Sequence, residues 1–98
     1  MLLVIDVGNS NNVIGLFSDK ELLSHWRIRT EWNRTADEYW VLFKEFILSN
    51  HVEIDDIDDI VIACVVPSLV PVLQEMARKY FSCDPLVVGP GIKTGISI

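Results

Sequence analysis

The stretch Leu2-Leu3-Val4-Ile5-Asp6-Val7-Gly8-Asn9-Ser10-Asn11-Asn12-Val13-Ile14-Gly15-Leu16-Phe17 decides the fold. Its first four residues are a continuous apolar run of the kind that builds a strand buried on both faces, and Asp6 appears where the run stops. Gly8-Asn9-Ser10-Asn11 is turn material and Val13 to Phe17 is apolar again, so the segment reads as two antiparallel strands joined by a tight bend. A carboxylate at the carboxyl end of a strand stands where ligands gather in open α/β sheets. Gly8 has no Cβ to keep an anion off the main chain, and Asn9 tolerates the left-handed conformation that a tight turn demands. Ser10, Asn11 and Asn12 add hydroxyl and amide groups beside the turn's own N–H groups, a concavity suited to phosphate oxygens. Asp6 would then face a phosphate-bound magnesium through water. The same residues also make an ordinary hairpin turn, so the rest of the chain has to decide.

Beyond the bend, Ser18-Asp19-Lys20-Glu21 is polar turn material leading to a third strand over residues 22–30. Alternation puts Leu22, Ser24, Trp26 and Ile28 on one side of it and His25, Arg27 and Arg29 on the other, the pattern of a half-exposed strand. Those three basic side chains either reach a ligand or solvate the sheet face. Thr35-Ala36-Asp37-Glu38 is a capping-box sequence, which predicts a helix opening at Thr35 and ending near Asn50. Tyr39, Trp40, Phe43, Phe46 and Ile47 follow at helical spacing as its core face. Ile60 to Val66, rich in β-branched residues and bounded by Pro67, predicts a return to the sheet. Ser68 is a candidate cap for a second helix with Pro71 in its first turn and Leu69, Leu73, Met76, Ala77 and Tyr80 along its seam. Leu86-Val87-Val88 reads as a last short strand, ended by Gly89-Pro90-Gly91. Lys93-Thr94 is not a Walker loop, because no glycine directly precedes Lys93.

Composition narrows the function classes. Ninety-eight residues, 50% hydrophobic and 22% charged, make one compact domain over residues 1–98 that buries about 60–70% of its unfolded surface. A net charge of −6 with only eight Lys and Arg argues against nucleic-acid binding. Much of the acidity is local, in Glu53, Asp55, Asp56, Asp58 and Asp59, which lack the glycine and ligand spacing of a calcium loop and read as a solvated connection. Cys64 and Cys83 have no metal-ligand spacing and suit a reducing cytoplasm without a disulfide. The opening apolar run is too short for a signal peptide or a membrane span, so the sequence predicts a soluble, cytoplasmic protein.

The predicted order is strand, strand, strand, helix, strand, helix, strand: an antiparallel meander followed by two right-handed crossovers in an α/β fold with a mixed sheet. This succession resembles one lobe of the ribonuclease H-like fold of acetate kinases, sugar kinases, Hsp70 and actin, in which the first hairpin grips nucleotide phosphate. Across the whole chain, Asp6-Val7-Gly8-Asn9-Ser10-Asn11, Trp26-Arg27-Ile28, Arg34-Thr35-Ala36-Asp37-Glu38-Tyr39, Val65-Val66-Pro67 and Val88-Gly89-Pro90-Gly91-Ile92-Lys93-Thr94-Gly95 resemble, in order, the amino-terminal part of type III pantothenate kinases.

The resemblance implies ATP-dependent phosphorylation of pantothenate, the first step of coenzyme A synthesis, by a cytoplasmic homodimer that uses magnesium and a monovalent cation, K+ or NH4+. It also implies a nucleotide loop of Asp6, Val7, Gly8, Asn9, Ser10, Asn11, Asn12 and Val13, with Asp6 directed to the metal. Ser10 and Asn12 stand where the family usually has Thr, Trp40 where it has a small residue, and Cys64 where it has Ser. The family's catalytic aspartate is expected beyond Ile98, which predicts a nucleotide half-site that is inactive alone. A non-catalytic interaction protein similar to the Bvg accessory factors, or an inactive folded fragment, is the alternative.

Overall fold

The computed structural model describes residues 1–89. Five strands and two helices follow the predicted order: β1 (Leu2–Val7), β2 (Asn11–Ser18), β3 (Glu21–Arg29), α1 (Ala36–Ser49), β4 (Asp59–Cys64), α2 (Val70–Phe81) and β5 (Leu86–Val88). They form one mixed sheet in the order β3-β2-β1-β4-β5. The β1–β2 and β2–β3 pairs are antiparallel, and β1–β4 and β4–β5 are parallel. Each parallel pair is reached through a helix, as a parallel connection requires. Pro90, Gly91 and the segment Ile92-Lys93-Thr94-Gly95 lie outside the described residues. Among the described residues no helix is long and apolar enough to cross a membrane.

The central strand is covered on one face only, which corrects the two-sided burial expected of Leu2–Ile5. Leu3, Ile5 and Val7 are buried, whereas Leu2 and Val4 are half-buried and Asp6 is exposed. Both crossovers step the same way along the sheet, from β3 past β1 to β4 and on to β5. Right-handed connections running in one direction put both helices on one face. The core therefore lies between Leu3, Ile5, Val7, Ile14, Leu16, Ile60 and Ile62 of the sheet and Tyr39, Phe43, Ile47, Leu73, Met76 and Ala77 of the helices. The strand also runs to Val7, two residues beyond the apolar run, so Asp6 sits within it.

Helix α1 begins as its sequence predicts. Thr35 Oγ1 accepts from the Glu38 N–H at 3.2 Å, Glu38 Oε1 accepts from the Thr35 N–H at 2.9 Å, and Asn50 is the C-cap. Tyr39, Phe43 and Ile47 are fully buried. Trp40 and Phe46 lie at the rim: Trp40 stacks on Tyr80 at 4.6 Å and meets the edge of Phe81, and Phe46 stacks on Trp26 of β3 at 5.1 Å. Helix α2 departs from expectation. A 3₁₀ turn over Pro67–Leu69 precedes it, its N-cap is Leu69, and Ser68 does not cap it. Phe81 closes the buried seam in place of half-exposed Tyr80. The acidic connection carries a second 3₁₀ turn, Ile54–Asp56, and Asp58 pairs with the N-terminal ammonium at 2.6 Å.

Strand β3 also differs from simple alternation. An irregularity opposite Leu16/Phe17 pairs Phe17 with Leu22. A bulge of this kind inserts one residue and shifts the parity of what precedes it. Leu22 consequently joins His25 on the open face and not Trp26 on the covered one.

Candidate functional site

Parallel pairing of β1 and β4 brings their carboxyl ends together, Val7 beside Cys64, and the Val65 N–H donates to the Val7 carbonyl at 3.1 Å. The β1–β2 bend and the start of the β4–α2 connection thus share one edge of the sheet. This is the edge at which α/β folds collect ligands, because loops there vary without disturbing the packed layers.

Asp6 stands on the open face with Val13 of β2 and Ala63 of β4 as its in-register neighbours. It is exposed, and the three ion pairs among the described residues, Met1–Asp58, Arg78–Asp84 and Lys79–Asp37, do not involve it. The carboxylate is therefore available to a cation carried by a ligand. Beyond Val13, Arg27 continues the same row on the same face. A shallow apolar hollow of about 360 Å³ lies on this face between Val4, Asp6, Phe17, Leu22 and His25, over Gly15.

The bend itself is closed by one bond, from the Gly8 N–H to the Asn11 carbonyl at 2.9 Å. Asn9, Ser10 and Asn11 are exposed and Gly8 half-buried. Neither Gly8 nor Asn9 enters the left-handed region, which corrects the conformational role expected of Asn9; the non-glycine residues at positive φ are Asp19, His51 and Ser82. Gly8 suits the space: a Cβ there would lie 3.1 Å from the Asn11 carbonyl oxygen that closes the bend, a tight contact that the bend would have to relax to accept.

The predicted loop residues divide by face. Val7 and Asn12 are buried on the helix-covered side, and Val13 is half-buried on the open side. The side chain of Asn12 is turned inward, where its Oδ1 lies 2.8 Å from Thr30 Oγ1. Thr30, 7% exposed, also reaches the Gly8 carbonyl through Oγ1 at 2.8 Å, and its N–H donates to the Ser10 carbonyl at 2.9 Å. Sequence reasoning did not single out Thr30, although it is the next covered-face position after Ser24, Trp26 and Ile28. Cys64, at the same edge, is buried: burial pushes its thiol up from its ordinary range, and Sγ donates to the Val66 carbonyl at 3.0 Å.

A mixed five-stranded sheet of this order, with a tight polar bend and an exposed carboxylate near the end of the central strand, defines a lobe of the actin, Hsp70 and sugar-kinase fold class. A Porphyromonas gingivalis structure provisionally assigned as an N-acetylglucosamine kinase superposes with a TM-score of 0.64 at 17% identity, over 91% of this chain and 34% of that one. The sequence profile of type III pantothenate kinases matches residues 2–98, and the chain belongs to that family. Type III pantothenate kinases of Citrifermentans bemidjiense and of Geobacter sp. strain M21 are each 48% identical to it over all 98 residues. The chain spans 39% of the length of each of these relatives.

Proposed function

We propose that residues 1–98 act as the nucleotide-binding lobe of a protein that phosphorylates pantothenate with ATP, the opening step of coenzyme A synthesis. The observation that carries this reading is the pairing of an open polar bend with an exposed carboxylate that forms no ion pair among the described residues, at the carboxyl end of the central strand. Exposed Asn9, Ser10 and Asn11 supply side-chain and main-chain polar groups to the phosphates. Val7, Gly8, Asn12 and Val13 set the backbone that presents them. Asp6 meets the magnesium of Mg·ATP through water, and magnesium neutralises charge on the phosphates when bound. The donor set fits that ion: magnesium retains several of its waters and takes one or two carboxylates plus phosphate oxygens, and Asp6 is a single carboxylate with open space before it.

The family reading adds a monovalent cation, K+ or NH4+, pantothenate as the acceptor, a homodimer and a cytoplasmic location for the whole protein. Phosphoryl transfer relies on positioning and charge neutralisation more than on covalent chemistry by the protein. The contribution of this lobe is accordingly to hold the phosphates and their metal in one place.

Melting of the chain with and without Mg·ATP tests the proposal. A ligand at a hundredfold excess over its dissociation constant stabilises by about 2.7 kcal/mol. For a domain of this size that raises the melting temperature by roughly 10–20 °C. No shift with Mg·ATP at saturating concentrations would overturn the nucleotide reading.

A further inference from the structure

We propose that Thr30 is the positioning residue of the phosphate bend: it holds two of the bend's carbonyls and thereby aims the following amide N–H groups at the ligand. The inference rests on the nucleotide reading above and names a residue outside the loop itself. Thr30 grips the bend at three points, the Gly8 carbonyl, the Ser10 carbonyl and the Asn12 side chain. It does so from a buried position, where water competes little for those bonds.

The consequence follows from the planarity of the peptide group. In a trans peptide the C=O of one residue and the N–H of the next point in opposite directions. There are no cis peptides in the described chain. The Gly8 carbonyl is drawn to Thr30 Oγ1 on the helix-covered side, so the Asn9 N–H is turned toward the other side, where Asp6 stands. The Ser10 carbonyl is drawn to the Thr30 N–H, away from β1, so the Asn11 N–H is turned back into the bend. A carbonyl left loose at either place could swing toward the phosphates and repel them. Thr30 removes that alternative.

The polar arithmetic of the cluster supports the assignment. One hydroxyl proton can serve only one of the two oxygens within 2.8 Å of it. Asn12 Nδ2, fully buried, has no acceptor as placed. With the Asn12 amide turned over, Nδ2 donates to Thr30 Oγ1 and the Thr30 hydroxyl donates to the Gly8 carbonyl. The result is a directed relay from Asn12 through Thr30 to Gly8. Asn12, read from sequence as a phosphate donor, acts in this arrangement from behind the bend.

The test compares Thr30→Val and Thr30→Ser in the protein as its gene encodes it. Val keeps the shape and the N–H bond to Ser10 but deletes the hydroxyl, and Ser restores it. Mg·ATP affinity by calorimetric titration is expected to fall tenfold or more in T30V and to stay within about twofold of wild type in T30S. Hydrogen exchange at the Gly8 amide, which closes the bend, is expected to accelerate in T30V alone. Thr30→Ala carries the same comparison if Val does not fold. Wild-type affinity in T30V, or equal loss in T30V and T30S, overturns the positioning role while leaving the nucleotide reading intact. A purely structural Thr30 would lower the melting temperature without changing the affinity of the folded protein, which also overturns it. If the wild-type protein takes up no Mg·ATP, the nucleotide reading falls and this proposal with it.

Discussion

Replacing Asp6 by Asn deletes one charge that the fold does not use, and the consequence for ligand binding can be worked out in advance. The carboxylate is exposed, its in-register neighbours are Val13 and Ala63, and none of the three described ion pairs includes it. A substitution at such a site changes stability by no more than about 0.5 kcal/mol. That is a melting shift of roughly 2–4 °C at this chain length. Binding should respond far more. A carboxylate facing magnesium through one water sits about 5 Å from it, and a charge of −1 against +2 at that distance in a water-like medium is worth about 1.7 kcal/mol. Each 1.4 kcal/mol is a factor of ten, so D6N should weaken Mg·ATP by about fifteenfold or more. Titration calorimetry with magnesium and with a chelator separates the cause. In the magnesium-free arm the variant should bind ATP at least as well as wild type, since it no longer presents a negative charge to the phosphates. Equal loss in both arms would show that Asp6 acts on the bend's shape and not through a metal. Unchanged affinity in the magnesium arm would refute the placement of the cation.

Two further outcomes test the scaffold. Thr35→Ala should cost about 1 kcal/mol by opening the capping box, seen as a lower urea midpoint at unchanged slope, and combining it with Glu38→Ala should cost less than the sum because the two bonds are reciprocal. The clamp between the two helices should give stability an acid limb and a base limb. The Tyr80 hydroxyl and then the Lys79 ammonium, 2.9 Å away, hold Asp37 below its ordinary value of 3.8. The stabilisation is therefore present above pH 3.8 and is lost as pH falls through the lower folded value. Lys79 is pushed above 10.5 and Tyr80 above 10.0, chiefly by their hydrogen bonds to Asp37, so their share is present below those values and is lost as pH rises past the folded ones. Urea titrations across both ranges should show both limbs flattened in Asp37→Asn, and limbs identical to wild type would refute the clamp.

What could be read from the sequence was local or governed by handedness. The capping box at Thr35 and Glu38 lies within four residues, and the succession of a meander and two right-handed crossovers is consistent with the sheet order β3-β2-β1-β4-β5. Details set by distant partners were not legible. Asn12 meets Thr30 eighteen residues away, and the two can find each other only once β2 and β3 are paired. The conformation of Asn9 was inferred from residue preference, yet a bend closed by a single bond and tied from β3 does not need a left-handed residue. The start of α2 moved because the Pro67–Leu69 turn occupies the place where Ser68 would have capped it.

The register that makes the core also makes the site. Successive residues of a strand point to opposite faces, so burying Leu3, Ile5 and Val7 under the helices obliges Asp6 to face outward. A slip of β1 by one residue would bury the carboxylate without a partner and expose Leu3, Ile5 and Val7, losing the core and the outward-facing carboxylate together. The same parity carries Asn12 and Thr30 to the covered side, where their bonds can hold the bend from behind. Apolar patterning therefore places the charged group in front of the bend and the neutral polar pair behind it. The short run from Leu2 to Phe17 thus specifies packing and chemistry at once: substitutions at inward apolar Leu3, Ile5 and Val7 should be reported by melting, and those at outward Asp6 by ligand affinity.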